Sequence, residues 1–204
     1  ASDPVYLQAV KSLGPFLVTV DDVGEGVSEA DLAVNVLYHR PGAVTDPGYL
    51  PLREEFQRAH QPPRTLRPSV ETLLIMQGGS DTHRLTPMIV RALAGVPSPS
   101  RCVVVTGAAF RDDAALSSAI QASSLDVTLL HDVQEMAPLM LEADLAITAG
   151  GLTMFELCCV GTPSLVVCAE RLEEETARRL QDDGAVINLG FGGDLDPAQL
   201  RASV

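Results

Sequence analysis

Two glycine pairs, each placed where an apolar run gives way to a helical one, set the chemistry this sequence can do. The first is Gln77-Gly78-Gly79-Ser80-Asp81, directly after Leu73-Leu74-Ile75-Met76. Gly78 and Gly79 permit positive φ and let a phosphate approach the backbone, and the Ser80 hydroxyl can donate a hydrogen bond to it. The same string also forms a tight strand-to-helix turn with Ser80 or Asp81 as N-cap. The second is Leu145-Ala146-Ile147-Thr148-Ala149-Gly150-Gly151-Leu152-Thr153-Met154-Phe155-Glu156, followed by Gly161-Thr162-Pro163. Here a buried strand enters a double-glycine turn that opens a helix, so the free amides of the first helical turn make an anion site suited to a diphosphate. Glu156, three residues beyond Thr153, can accept hydrogen bonds from both hydroxyls of a ribose. Thr153-x-x-Glu156 is equally a capping box, which needs no ligand, and spacing leaves the two roles open.

Between these loops lies Leu130-His131-Asp132-Val133-Gln134-Glu135-Met136 at another strand end. Exposed amides and carbonyls there can read the edge of a base, with Val133 and Met136 supplying apolar contact. His131 is a candidate catalytic base; a histidine at a strand end is also an ordinary polar surface residue.

These loops need a scaffold that brings them to one edge. From residue 71 onward, short apolar runs alternate with amphipathic stretches, the pattern of a parallel sheet covered by helices. Strands are expected at 72–76, 101–106, 126–130, 145–148, 164–167 and 185–188. Helices are expected at 86–93, 112–122, 133–142, 153–160 and 173–182. Runs such as Cys102-Val103-Val104-Val105 lack polar alternation, as strands buried on both faces do. The predicted fold is therefore α/β, a Rossmann-like doubly wound parallel sheet with ligands beyond the C-terminal strand ends. The first 60 residues differ: two strand-like runs, 16–20 and 32–36, precede a Pro/Gly-rich stretch, and two strands are too few for an independent domain. Prolines 62, 63 and 68 mark a linker. Because Asp196-Pro197 starts a helix and the chain stops at Val204, the sequence is expected to be cut at both ends.

The 204 residues carry a net charge of −13 from scattered acids, and no Lys/Arg cluster offers a footprint for DNA or RNA. A phosphate ligand must then be held locally, by amides and helix ends. Cys102, Cys158, Cys159 and Cys168 sit in apolar runs without zinc-like spacing, and the four histidines are dispersed, so neither a metal nor a cofactor is expected. No signal peptide opens the chain and no apolar run approaches about 18 residues, which predicts no transmembrane segment and a cytoplasmic location.

Taken together, these motifs resemble the nucleotide-sugar hydrolase family of pseudaminic acid biosynthesis, grouped with spore coat polysaccharide proteins. Gly78-Gly79-Ser80, residues 133–136 and Gly151-Leu152-Thr153-Met154-Phe155-Glu156 are similar, more distantly, to the UDP-binding segments of the peptidoglycan UDP-GlcNAc transferase. Asp21-Asp22 and Asp46-Pro47-Gly48-Tyr49-Leu50-Pro51-Leu52-Arg53-Glu54-Glu55-Phe56 have counterparts in the family's N-terminal domain, and no folding rule demands the latter string. The resemblance implies a GT-B-type architecture: residues 1–62 a remnant of its N-terminal domain, 63–69 a linker, and 70–204 the C-terminal nucleotide-sugar-binding domain. It implies a UDP-sugar as ligand. Ser80 would meet the diphosphate, Val133 uracil through its backbone, Gly151, Leu152 and Thr153 phosphate, and Glu156 the ribose, with Gly78, Gly79 and Gly150 also counted among the UDP-binding residues. The family's glycine- and histidine-rich loop, which supplies the proposed base, has no counterpart here, so the chain is expected to be inactive alone. Where an amide pair is expected after Cys168, this chain has Ala169-Glu170-Arg171-Leu172-Glu173-Glu174. The leading expectation is a UDP-sugar hydrolase of surface-polysaccharide biosynthesis. The alternatives are a GT-B glycosyltransferase with the same donor and a non-catalytic nucleotide-sugar-binding fragment; free sugar, glycosylated acceptor or mere binding would separate the three.

Overall fold

The computed structural model describes residues 1–60, 64–96 and 99–204. It forms two compact units, Ala1–Pro51 and Leu52–Val204.

The first unit contains α1 (Pro4–Lys11) and a parallel pair, β1 (Val18–Val20) and β2 (Leu32–Val34). The Asp3 carboxylate caps α1 by accepting from the Val5 and Tyr6 amides, with Pro4 at the position where a missing N–H does no harm. Asp21 and Asp22 are likewise spent on the backbone. Asp21 accepts from the Leu37 amide at 2.8 Å, and Asp22 accepts from the amides of Ser2 and Gly24, each at 2.9 Å.

The second unit begins with α2 (Glu54–Ala59) and continues through β3 (Thr72–Met76), α3 (Leu85–Ala92), β4 (Arg101–Thr106), α4 (Asp113–Ala122) and β5 (Val127–His131). There follow α5 (Ala137–Glu142), β6 (Leu145–Thr148), α6 (Leu152–Val160), β7 (Ser164–Cys168), α7 (Glu174–Asp182), β8 (Ile187–Phe191) and α8 (Pro197–Ala202). All six strands pair in parallel in the order β5-β4-β3-β6-β7-β8, which is the expected doubly wound sheet. Side chains alternate between two cores. Leu73, Ile75, Val104 and Ile147 pack with Ile89 and Leu93 on one face; Leu74, Met76, Val103 and Ala146 pack with Met140, Leu157 and Phe56 on the other. Burying an apolar side chain of this size stabilises by about 1.5–3 kcal/mol, so each face is held by several such increments and the strand ends between them are fixed.

Three boundaries depart from the sequence expectation for local reasons. Helix α5 starts at Ala137, not 133, because Pro138 would clash with the carbonyl four residues back in any longer helix. This leaves residues 132–136 as a loop. Strand β8 starts at Ile187, not 185, because the end of α7 takes up the intervening residues: Gly184 is left-handed (φ 74°) and the Ala185 amide reaches back to Leu180 O at 2.8 Å. The unit boundary lies at Pro51/Leu52, not at 62/63, because fully buried Phe56 belongs to the core under α5 and α6. Of the expected 63–69 linker, residue 63 lies outside the described residues. Beyond it, Arg64 donates to Thr162 Oγ1 at 2.9 Å and Arg67 grips both Asp144 oxygens at 3.0 and 3.1 Å, so the segment is pinned to the sheet rather than free.

Candidate functional site

The two central strands set the site. β3 and β6 are neighbours, but the chain leaves β3 toward β4 and β6 toward β7, and the diverging loops open a crevice at their C-terminal ends. A cavity of about 250 Å³ occupies it. A larger one, about 460 Å³, lies at the opposite edge against Arg64, Pro163 and Gly184. That edge carries strand beginnings, where parallel sheets do not place ligands.

Gly78 and Gly79 form one wall of the crevice. Their position is fixed by the loop after β4, because a Cβ on Gly107 would lie 2.5 Å from Gly79 Cα and O, a contact only glycine permits. Gly107 also lines the cavity and was not anticipated. Its signal was a third glycine directly after an apolar strand. From the loop after β5 come Asp132, Val133 and Met136, and from α6 come Thr153 and Glu156. The structure thus brings Gly78, Gly79, Val133, Thr153 and Glu156 together.

The remaining expected residues stand outside this wall. Ser80 follows on an exposed turn, and Gly150, Gly151 and Leu152 form the entry to α6, with Gly150 backed by the Glu173 side chain. His131 Nδ1 lies 2.6 Å from Thr106 Oγ1, a neighbour across the β4–β5 ladder, and does not line the cavity.

Of the helices that start at this edge, α3 and α6 are treated differently. At α3, the buried Asp81 carboxylate accepts from the Leu85 and Thr86 amides at 2.8 and 2.9 Å, so the helix start carries its own anion. At α6, Gly151 is the N-cap and no side chain caps the helix. The first-turn amides there are offered outward. The capping-box role for Thr153 and Glu156 does not hold, because α6 begins at Leu152 and Glu156 sits more than one turn inside it.

Freed from the helix end, Glu156 faces the cavity with 12% of its side chain exposed. Burial pushes its carboxyl above the ordinary range; Arg53 pulls it down and Glu55 pushes it up further. Arg53, the residue before α2, completes the cavity wall with its Nη2 3.6 Å from Glu156 Oε1. No local pattern gives Arg53 this role, because Gln134 and Glu156 lie far along the chain from it.

Burial also drives the thiols of Cys102 and Cys168 up to about 12 and that of Cys158 to about 11, so they stay protonated. Among the described residues, no three His, Cys, Asp or Glu side chains gather as a metal site would require, and no helix is long and apolar enough to cross a membrane.

A doubly wound sheet with a switch-point crevice and an outward-facing helix N-terminus is the build of a nucleotide-binding domain. The glycosyltransferase family 28 C-terminal domain matches residues 74–203, and the chain belongs to that family. The spore coat polysaccharide biosynthesis protein SpsG of Bacillus subtilis is 32% identical over 148 residues, which are 72% of this chain and 43% of that protein. The UDP-N-acetylglucosamine--N-acetylmuramyl-(pentapeptide) pyrophosphoryl-undecaprenol N-acetylglucosamine transferase of Thiobacillus denitrificans is 31% identical over 57% of this chain and 32% of its own length. The chain thus spans less than half the length of these curated relatives. In fold it is similar to the crystal structure of Acinetobacter baumannii MurG, with a TM-score of 0.66 at 19% identity over 97% of this chain and 59% of that one. These findings correct the expectation of a hydrolase. The matched family is one of glycosyltransferases, and the named activity among the relatives is transfer.

Proposed function

We propose that Leu52–Val204 is the donor-binding domain of a glycosyltransferase that takes a UDP-sugar, and that Ala1–Pro51 is part of the enzyme's first domain. The observation that carries this reading is the meeting of Gly78, Gly79, Val133, Thr153 and Glu156 around one crevice beside the α6 N-terminus. The uracil lies against Val133 and Met136, where loop amides and carbonyls meet its edge. The ribose hydroxyls donate to the Glu156 carboxylate. The diphosphate reaches out past Thr153 to Gly150, Gly151 and Leu152, with Ser80 donating from the glycine turn. This explains why those four stand outside the cavity wall: the nucleoside fills the cavity and the phosphates lie beyond it.

In transfer, an acceptor hydroxyl loses its proton and bonds to the sugar carbon as that carbon's bond to the diphosphate breaks, and charge gathers on the departing phosphate. Amides fixed at a helix start meet that charge without reorganising, which lowers the barrier more than the ground state. The absence of a basic cluster fits a small phosphate ester over a nucleic acid. Calorimetric titration of the 204-residue chain with UDP, and with ADP for comparison, tests the donor site. Saturable binding with a clear preference for UDP is expected. A flat titration, or equal affinity for ADP, would sink the assignment.

A further inference from the structure

We infer that Arg53 is a positioning residue of this pocket, tying the loop that faces the base to the carboxylate that faces the ribose. This rests on the donor-site reading above. Arg53 Nη1 donates to the Gln134 carbonyl at 2.8 Å and pairs with Glu55 Oε1 at 2.7 Å. The other Glu55 oxygen accepts from the Ala137 amide at 3.0 Å. The Arg53–Glu55 pair therefore holds both ends of the 134–137 turn, its first carbonyl and its last amide. The pair is itself anchored by Phe56, which is fully buried and lies under the guanidinium at 5.0 Å from its ring centroid.

The second arm of the same guanidinium is what a purely structural strap would not need. Nη2 stands 3.6 Å from Glu156 Oε1, too far for a hydrogen bond yet close enough for its charge to act. Arg53 thus favours the ionised carboxylate that ribose hydroxyls would meet. Residues that act on the base loop and on the ribose carboxylate through one planar group couple the two halves of nucleoside recognition. Among the described residues, Arg53 and Glu55 from the segment at α2 are the charged groups that act on Glu156, with Asp132 from the loop after β5 in the same cavity lining; Arg53 lowers its carboxyl's proton affinity and Glu55 raises it.

The test is UDP titration of the 204-residue chain across acidic to neutral pH, with a thermal melt on every variant. Wild-type affinity should fall as acid protonates Glu156. Arg53→Gln should lower UDP affinity about tenfold at neutral pH and move the acid midpoint upward. Arg53→Lys, which keeps the charge but loses the fork, should restore the midpoint with only part of the affinity. Arg53→Gln binding UDP like wild type, or losing affinity with an unmoved midpoint, would overturn the proposal and leave the donor site standing. A wild-type chain that ignores UDP overturns the donor site and this inference with it. Should Arg53→Gln fail to melt cooperatively, Glu55→Gln decides. Removal of that negative charge should move the midpoint downward, and an unmoved midpoint refutes the coupling.

Discussion

Helices α3 and α6 start at the same edge of the same sheet, each after a glycine-bearing turn, yet only one of them is closed. At α3, Asp81 supplies a carboxylate to the first two amides, and the chain tolerates a left-handed Arg84 at the N-cap to allow it. At α6 the corresponding position is Gly151, with extended backbone and no capping side chain. A helix start that carries its own anion gains stability and loses its attraction for another; one left open keeps that attraction at some expense in stability. Similar glycine turns therefore do not imply similar sites, and the acid four residues before the helix is what separates them.

Exchanging these properties is the strongest way to break the comparison. Gly151→Asp fits the backbone, since an added Cβ meets nothing closer than Glu173 Oε1 at 3.9 Å. It should lower UDP affinity by roughly 100-fold, about 3 kcal/mol, through repulsion and occupation of the amides, as calorimetry would show. Asp81→Ala should do the converse. Two α3 amides lose their acceptor, stability falls by about 2 kcal/mol, and the melting temperature drops by roughly 4–8 °C while UDP affinity stays near wild type. If Asp81→Ala weakens UDP binding as much as Gly151→Asp does, the two helix starts are not functionally distinct.

Smaller changes sharpen the contrast at Glu156. Glu156→Gln should reduce UDP affinity about tenfold by removing a charged acceptor, and should flatten the acid dependence of binding. The same substitution tests stability in the opposite sense. Because the folded Glu156 carboxyl is raised above its unfolded value, the stability linked to its proton is present below the ordinary carboxylate range and lost as pH rises through the raised value. Glu156→Gln, which resembles the protonated form, should therefore melt slightly higher than wild type at pH 8 and no higher below about pH 4. Smallest of all, Gly151→Ser should add a few tenths of a kcal/mol of helix capping, visible as a marginal rise in melting temperature.

The strands were legible because burial on both faces writes itself as uninterrupted apolar runs; β3, β4 and β6 fall where those runs do. The glycine turns and Glu156 were legible for the same local reason. What the sequence hid depends on distance or on a neighbour's geometry. Arg53 meets Gln134 across 81 positions and Glu55 meets Ala137 across 82, and no local pattern encodes either pairing. Pro138 is visible in the sequence, and it is what holds the start of α5 to Ala137. Whether Glu156 closes a capping box with Thr153 turned on whether α6 starts at Leu152 or two residues later, a boundary that spacing alone does not fix.

The strand order also determines when the crevice comes into being as the chain is made. β3, β4 and β5 are sequential neighbours, as are β6, β7 and β8, and the single long closure joins β3 to β6 across the middle. The first half-sheet can assemble as it leaves the ribosome, with Gly79 already seated against Gly107. Its far wall does not exist until α6 has followed, at residue 160. On the donor-site proposal, a nucleotide then has nothing to grip on the nascent chain until α6 has emerged, and ligand can stabilise only a chain in which β3 to α6 have come together.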